Sequence, residues 1–296
     1  CSKMNRSMLS EELLKKVRFI EITSKKRVDE AMSGQFRSHF KGQGVQFSEH
    51  RVYMPGDDVR HIDWKVSARS REPLVKKYEE ERELTVLLVV DISASQAFGS
   101  AHKLKSEAVA EIGGMLAYAA VHTGDKVGTI LFSDKVERIL PPRKGRMHVL
   151  RVIRDLLGYP ASGRGTHLTT ALESARRLMK HSGVVFILSD FLDKGYEIAL
   201  KRLARKHDVV AIWLEDERER EVPVSGVFYF LDPESQSATP RVVDTGSYRF
   251  RTWLKSDLKA RENRTLEAFK GAQIQWVKVT SGEDYAEAIV RFFRRR

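Results

Sequence analysis

The chain has one cysteine, Cys1, among 296 residues. A single thiol rules out an internal disulfide and any thiolate cluster for zinc. No apolar run approaches the roughly 18 residues of a membrane-crossing helix. The start of the chain lacks the apolar core of a secretory leader, so a cytoplasmic setting without a membrane span is expected. The histidines (His39, His50, His61, His102, His122, His148, His167, His181 and His207) show no zinc spacing and no Ser or Cys partner for nucleophilic catalysis. The segment Gly34–Gly44 holds three glycines and several basic residues, but no G-x-x-x-x-G-K-S/T follows a strand there. A nucleotide P-loop is therefore not expected.

The formal charge is +12, a balance that raises nucleic acid or an anionic surface as partners. Acidic residues are interleaved almost throughout, and only Arg291 to Arg296 forms a dense basic cluster. Zinc-finger, recognition-helix and RNA-binding signatures are lacking. The nucleic-acid alternative thus rests on charge alone.

The most informative stretch is Leu84-Thr85-Val86-Leu87-Leu88-Val89-Val90-Asp91-Ile92-Ser93-Ala94-Ser95. Its apolar run reads as a strand buried on both faces of a parallel sheet. Asp91, Ser93 and Ser95 then fall in the loop at the carboxyl end of a central strand, the edge where open α/β sheets bind ligands. A carboxylate with two hydroxyls offers only hard oxygen ligands, the chemistry of Mg²⁺ or Mn²⁺. Helix capping by Asp91 is the bland alternative.

Along the chain, a helix is expected from about Ser10 to Met32, with Leu13, Leu14, Val17, Phe19 and Ile20 on its apolar side and a break near Thr23-Ser24. Pro55-Gly56 fits the centre of a type II turn. Asp57 and Asp58 read as capping residues, and Arg60 and Asp63 are spaced to pair on one helical turn. Pro73 to Glu79 reads as a half-exposed strand. Helices and strands then alternate from Lys103 to Phe293. Among them, Gly113-Gly114 implies a close helix–sheet approach, and Pro141-Pro142 is expected to end a strand begun at Val136. A second apolar strand, Gly183 to Ser189, runs into Asp190. Such alternation predicts a doubly wound, mostly parallel sheet. The expected division is residues 1–80, a helix with an irregular or β subdomain, and 81–296, the α/β domain.

In this fold the carboxyl-end loops converge, so Asp91, Ser93, Ser95, Thr166 and Asp190 can meet as two carboxylates and three hydroxyls. That is an incomplete octahedral shell for Mg²⁺, open to water or a partner's carboxylate. At these residues the chain resembles a von Willebrand factor A domain with a metal-ion-dependent adhesion site, whose pattern is D-x-S-x-S, then Thr, then Asp. The resemblance implies direct ligation by Ser93, Ser95 and Thr166, aspartates acting partly through water, and a binding module rather than an enzyme.

The string from Gly42 to Arg69, G-x-G-x-x-F-x-E-x-R-x-Y-x-P-G-D-D-x-R-x-I-D-W-x-x-x-A-R, is similar to the domain-of-unknown-function-58 family. There this block precedes an A-type domain, as it does here. One departure is Gln96, where the family often has Met. The resemblance implies a cytoplasmic bacterial or archaeal adaptor for a MoxR-type AAA+ ATPase, acting with it on an unknown client in complex assembly or metal insertion. The enzyme alternative is a Mg²⁺-dependent phosphatase-like hydrolase with Asp91 as nucleophile. That chemistry asks for a second aspartate where this chain has Ser93, and for a phosphate-facing lysine that the sequence does not place.

Overall fold

The structure is a computed structural model that describes residues 2–31, 46–70, 72–79, 84–93, 99–100, 103–163, 165–215, 227–230, 241–280 and 285–295. The chain divides into two compact units, residues 41–83 and residues 1–40 with 84–296.

The small unit is organised by an antiparallel pair, β1 (Gln46–Val52) and β2 (Leu74–Glu79). Between them Asp57 N donates to Met54 O at 3.0 Å, and Gly56 takes φ +111°. This is the turn expected of Pro55-Gly56, because the position after proline in a type II turn needs φ > 0. Asp57 grips Arg51 in a two-pronged ion pair at 2.6 and 2.7 Å. Asp58 caps the short turn Val59–His61 through Arg60 N. Arg60 pairs with Asp58 rather than with Asp63 as the spacing suggested. Asp63 is engaged elsewhere: it caps the turn Trp64–Ser67 and meets His50 Nε2 at 3.2 Å.

The large unit is a six-stranded sheet with helices on both faces. In chain order its elements begin with α1 (Ser2–Ala31) and β3 (Thr85–Asp91), followed by the small pair β4 (Gly99–Ser100) and β5 (Lys103–Leu104). Then come α2 (Lys105–His122), β6 (Lys126–Phe132), β7 (Val136–Arg143), α3 (Arg146–Gly158), α4 (Leu168–Leu178) and β8 (Val184–Ser189). The chain continues through α5 (Glu197–Ala204), β9 (Asp208–Glu215), the pair β10 (Val227–Phe230) and β11 (Arg241–Asp244), α6 (Tyr248–Ala272), β12 (Gln275–Thr280) and α7 (Tyr285–Arg295). The sheet order is β12-β9-β8-β3-β6-β7, parallel except for β7. The doubly wound, mostly parallel α/β fold expected from the alternation is therefore what the chain adopts.

The continuous apolar run of β3 feeds both faces. Val86, Leu88 and Val90 enter the core with α1, α2, α3 and α7, while Leu87 and Val89 enter the core with α4, α5 and α6. A strand buried on both sides has no use for polar alternation, which is why it reads as an unbroken apolar string.

Several local expectations are corrected. α1 runs through Thr23, whose hydroxyl donates back to Phe19 O at 2.8 Å instead of breaking the helix. Val17, Ile20 and Val28 are buried but Phe19 is 63% exposed. These three anchors join α1 to the large unit, whereas the expected division grouped it with the small one. Gly113 and Gly114 permit close helix–helix contact, and Gly113 also meets the sheet, where a Cβ would lie 3.8 Å from Leu88. A Cβ on either would stand 2.7 Å from Leu156 of α3 or Ile20 of α1, respectively. Strand β7 continues through Pro141-Pro142. It is an edge strand with an irregular register opposite Gly128, a place where proline's missing N–H is tolerated.

Candidate metal centre at the switch point of the sheet

The chain leaves β3, builds β6 and β7 on one side, then crosses to build β8 and β9 on the other. Strand order therefore reverses between β3 and β8, and ligands of open α/β sheets bind outside the carboxyl ends at such a crevice. Asp91 ends β3, and Asp190 follows the end of β8. Both are buried, as are Ser93 and Ser189.

Asp91 is held at both oxygens. Oδ1 accepts Ser93 N at 2.9 Å, and Oδ2 accepts the Ser189 hydroxyl at 2.9 Å. The same Ser189 oxygen accepts Phe191 N at 3.1 Å. Asp190 Oδ1 in turn accepts Leu192 N at 3.3 Å. Loss of solvent, and then the facing Asp190 carboxylate, push Asp91 up to about 7, against hydrogen bonds from Ser93 and Ser189 that pull it down. Two carboxylates buried together at the end of apolar strands carry an electrostatic cost that a divalent cation would remove.

Immediately after Asp190, Phe191 takes φ +54°, the left-handed region that a bulky side chain seldom occupies. Its ring is buried edge-on against Phe269 of α6, centroids 4.9 Å apart, and near Tyr196 at 6.0 Å. Aromatic packing and the Ser189 hydroxyl together hold the turn that presents Asp190.

On the other side of Asp91, the loop bearing Thr166 is tied to the end of β6 by His167 N donating to Ser133 O at 2.8 Å. Thr166 is half-buried and precedes α4 by two residues. The helix's first amide, Leu168 N, is capped from a distance by Asp193 Oδ2 at 2.7 Å. The approach to this loop is ordered by Glu137 of β7. Its carboxylate accepts Ser133 Oγ at 2.7 Å, Ser162 N at 2.9 Å, Ser162 Oγ at 2.8 Å and Gly163 N at 2.7 Å. Partial burial opposes its ionisation, but the four donors outweigh that and carry it down to about 2.

Gly163 is fixed by space as well, since a Cβ there would lie 1.9 Å from Asp134 Oδ1 and 2.3 Å from Ser133 Oγ. We expect Gly163→Ala to cost about 1–3 kcal/mol by overpacking. It should also weaken metal binding through the displaced Thr166 loop. Thermal melts with Mn²⁺ titration read both, and unchanged affinity would show that the loop does not serve the centre.

Of the five residues expected at the centre, the structure brings Asp91, Ser93 and Asp190 together and sets Thr166 in the loop before α4 that His167 N ties to Ser133 O, just past the end of β6. Ser95 and Gln96 lie outside the described residues. Ser189, Phe191, Glu137 and Asp193 are added by the structure. The donor chemistry fits a hard cation: carboxylate and hydroxyl oxygens, with aspartates in adjoining crevice positions. Among the described residues no group of three or more His, Cys, Asp and Glu could hold a metal ion. Also among them, no helix is long and apolar enough to cross a membrane.

Comparison with known proteins agrees with the signature block. The family model described as protein of unknown function DUF58 matches residues 49–264. An uncharacterized protein of Mycobacterium tuberculosis strain H37Rv, Rv1480, is 30% identical over 284 residues, covering 95% of this chain and 88% of its own. The uncharacterized protein YeaD of Bacillus subtilis is 27% identical over 139 residues, 47% of this chain and 32% of its own. Among solved structures, the conserved hypothetical protein BatB from Bacteroides thetaiotaomicron overlaps 72% of this chain and 98% of its own, at 17% identity and TM-score 0.49. The SpRpn10 VWA domain overlaps 70% and 93%, at 10% identity and TM-score 0.43. The fold is carried by the strand order itself, and these structural likenesses add no function to it. By the match of its family model and of its mycobacterial relative, the chain belongs to the family described as protein of unknown function DUF58.

Proposed function

We propose that the protein is a metal-dependent protein-binding module rather than an enzyme. Asp91, Ser93, Ser95, Thr166 and Asp190 would hold Mg²⁺ or Mn²⁺ at the crevice. The observation that carries this reading is the buried pairing of Asp91 with Asp190, which pushes Asp91 up to about 7. The cation supplies charge neutralisation and an open coordination position. With such a cation bound, a partner's carboxylate would find a charge-assisted contact, worth most where water is excluded. Ser93 and Ser189 orient Asp91, and the Phe191 turn orients Asp190. In this reading the partner is a MoxR-type AAA+ ATPase, with the protein acting as its adaptor toward a client. The phosphatase-like alternative finds less support, because the residue two after Asp91 is Ser93, whose N–H steadies Asp91 instead of serving as a second acid.

Calorimetric titration of Mg²⁺ and Mn²⁺ into metal-free protein should show one site that Asp91→Ala abolishes. Co-precipitation of the ATPase should then depend on the metal and disappear with EDTA. Equal binding of metal to wild type and Asp91→Ala would sink the reading.

A further inference from the structure

Beside Asp190 a groove of about 380 Å³ opens between the carboxyl ends of β8 and β9 and the helix α6. Its floor is apolar: Phe191, Trp213 and Leu214 are all buried, and Leu258 of α6 forms a wall. A volume of this size accommodates a large side chain with part of the chain that bears it.

The charges around it are sorted. Glu215 and Glu262 both hold Lys278 Nζ, at 3.2 and 3.0 Å, and that ammonium also sits 4.5 Å over the Trp213 ring. Arg261 is committed to Asp257 at 2.7 Å. Lys255 and Lys259 have no ion pair among the described residues, and both are exposed, one helical turn apart, along the same lip. Like charges at this spacing repel one another on an isolated helix. A ligand carboxylate seated against them would relieve that.

A polyanion is a poor occupant. Asp190, Glu215 and Glu262 line the same groove, and the apolar floor offers nothing to a phosphate backbone. Discrete carboxylates spaced around an apolar side chain suit it better. We propose that this groove docks an acidic segment of a partner protein. The segment inserts one large apolar side chain over Trp213 and Leu258 and sets carboxylates against Lys255 and Lys259. The proposal deepens the metal-centred reading and rests on it, since Asp190 closes one end of the groove. It assigns α6 the second half of the recognition site.

The test is a selection of random dodecapeptides displayed against the full chain in millimolar Mg²⁺. A charge-reversed double variant, Lys255→Glu with Lys259→Glu, runs in parallel. Selected peptides should carry Asp or Glu on either side of Phe, Trp or Leu. As synthetic peptides they should bind the double variant about tenfold or more weakly, with the melting temperature of the variant unchanged. Recovery of no such pattern, or equal binding to the double variant, overturns the proposal. Mn²⁺ titration of the same preparations separates the two readings. Metal binding without such peptides removes the groove and keeps the centre. Lysine-dependent peptide binding without metal binding keeps the groove and removes the centre.

Discussion

Metal-free protein is expected to lose stability as pH rises from about 4 to 7, the reverse of the usual acid sensitivity of carboxylate-stabilised folds. Asp91 is an acid raised in the folded state from 3.8 to about 7. Between those values the folded chain keeps a proton that the unfolded chain has released, so each unit of pH increase favours unfolding. The full span corresponds to about 4 kcal/mol at roughly 1.4 kcal/mol per unit. In melting temperature that is on the order of 10 °C for a chain of this size. Glu137 acts in a different window and with the opposite sign. Its folded value, about 2, lies below the ordinary 4.5, so its contribution is present above pH 4.5 and is lost as pH falls toward 2. Melting curves from pH 3 to 9 should therefore rise and then decline. Asp91→Asn should flatten the decline and raise the melting temperature at pH 8. Added Mg²⁺ should stabilise wild type at pH 8 and have little effect at pH 5, because the proton and the cation compete for one carboxylate. A metal-free melting temperature that stays constant between pH 4 and 8 would show that Asp91 is not strained by its burial with Asp190.

Phe269→Ala is expected to cost about 3–5 kcal/mol, as large aromatic truncations in cores do. It should also weaken Mn²⁺ binding although Phe269 contributes no ligand. The ring is fully buried and receives Phe191 edge-on at 4.9 Å and Trp213 at 6.2 Å. Phe191 is the residue whose left-handed backbone follows Asp190, a conformation that costs about 1–3 kcal/mol unless its surroundings hold it. Emptying the space beneath it lets the turn relax and carries Asp190 away from Asp91. Chemical unfolding combined with Mn²⁺ titration reads the two effects apart. Phe269→Leu, which refills most of the volume, should restore affinity more fully than stability. Unaltered Mn²⁺ affinity in Phe269→Ala would assign the turn to the Ser189 hydrogen bond alone.

The parts of this molecule legible in the sequence are those where one physical rule acts without competition. Strands β3 and β8 are buried on both faces and so are mostly apolar, and Asp91 at the end of one and Asp190 just past the end of the other stand out against that background. The turn at Pro55-Gly56 is dictated by two residues. What was hidden depends on partners distant in the chain. Glu137 reads as an ordinary polar residue on an edge strand until Ser162 and Gly163, some 25 residues on, fold over it. Asp193 caps a helix that begins 25 residues before it. Phe19, spaced like a core residue, is outward because Val17, Ile20 and Val28 already fill the side of α1 that faces α2 and α3. Ser189 had a local signal, a hydroxyl next to the strand-end aspartate. Phe191 had none, since nothing in the composition around it announces a left-handed backbone.

The proline pair of β7 bears on how this molecule meets others. An outermost strand normally offers a row of backbone donors and acceptors to any extended chain that drifts alongside, which invites both strand-adding ligands and aggregation. With Pro141 and Pro142 in that strand and its register broken opposite Gly128, the row lacks a donor there, because successive N–H groups point to alternate edges and one of two adjacent prolines falls on the open side. A passing peptide therefore finds no continuous backbone template along that margin, and recognition there falls to side chains.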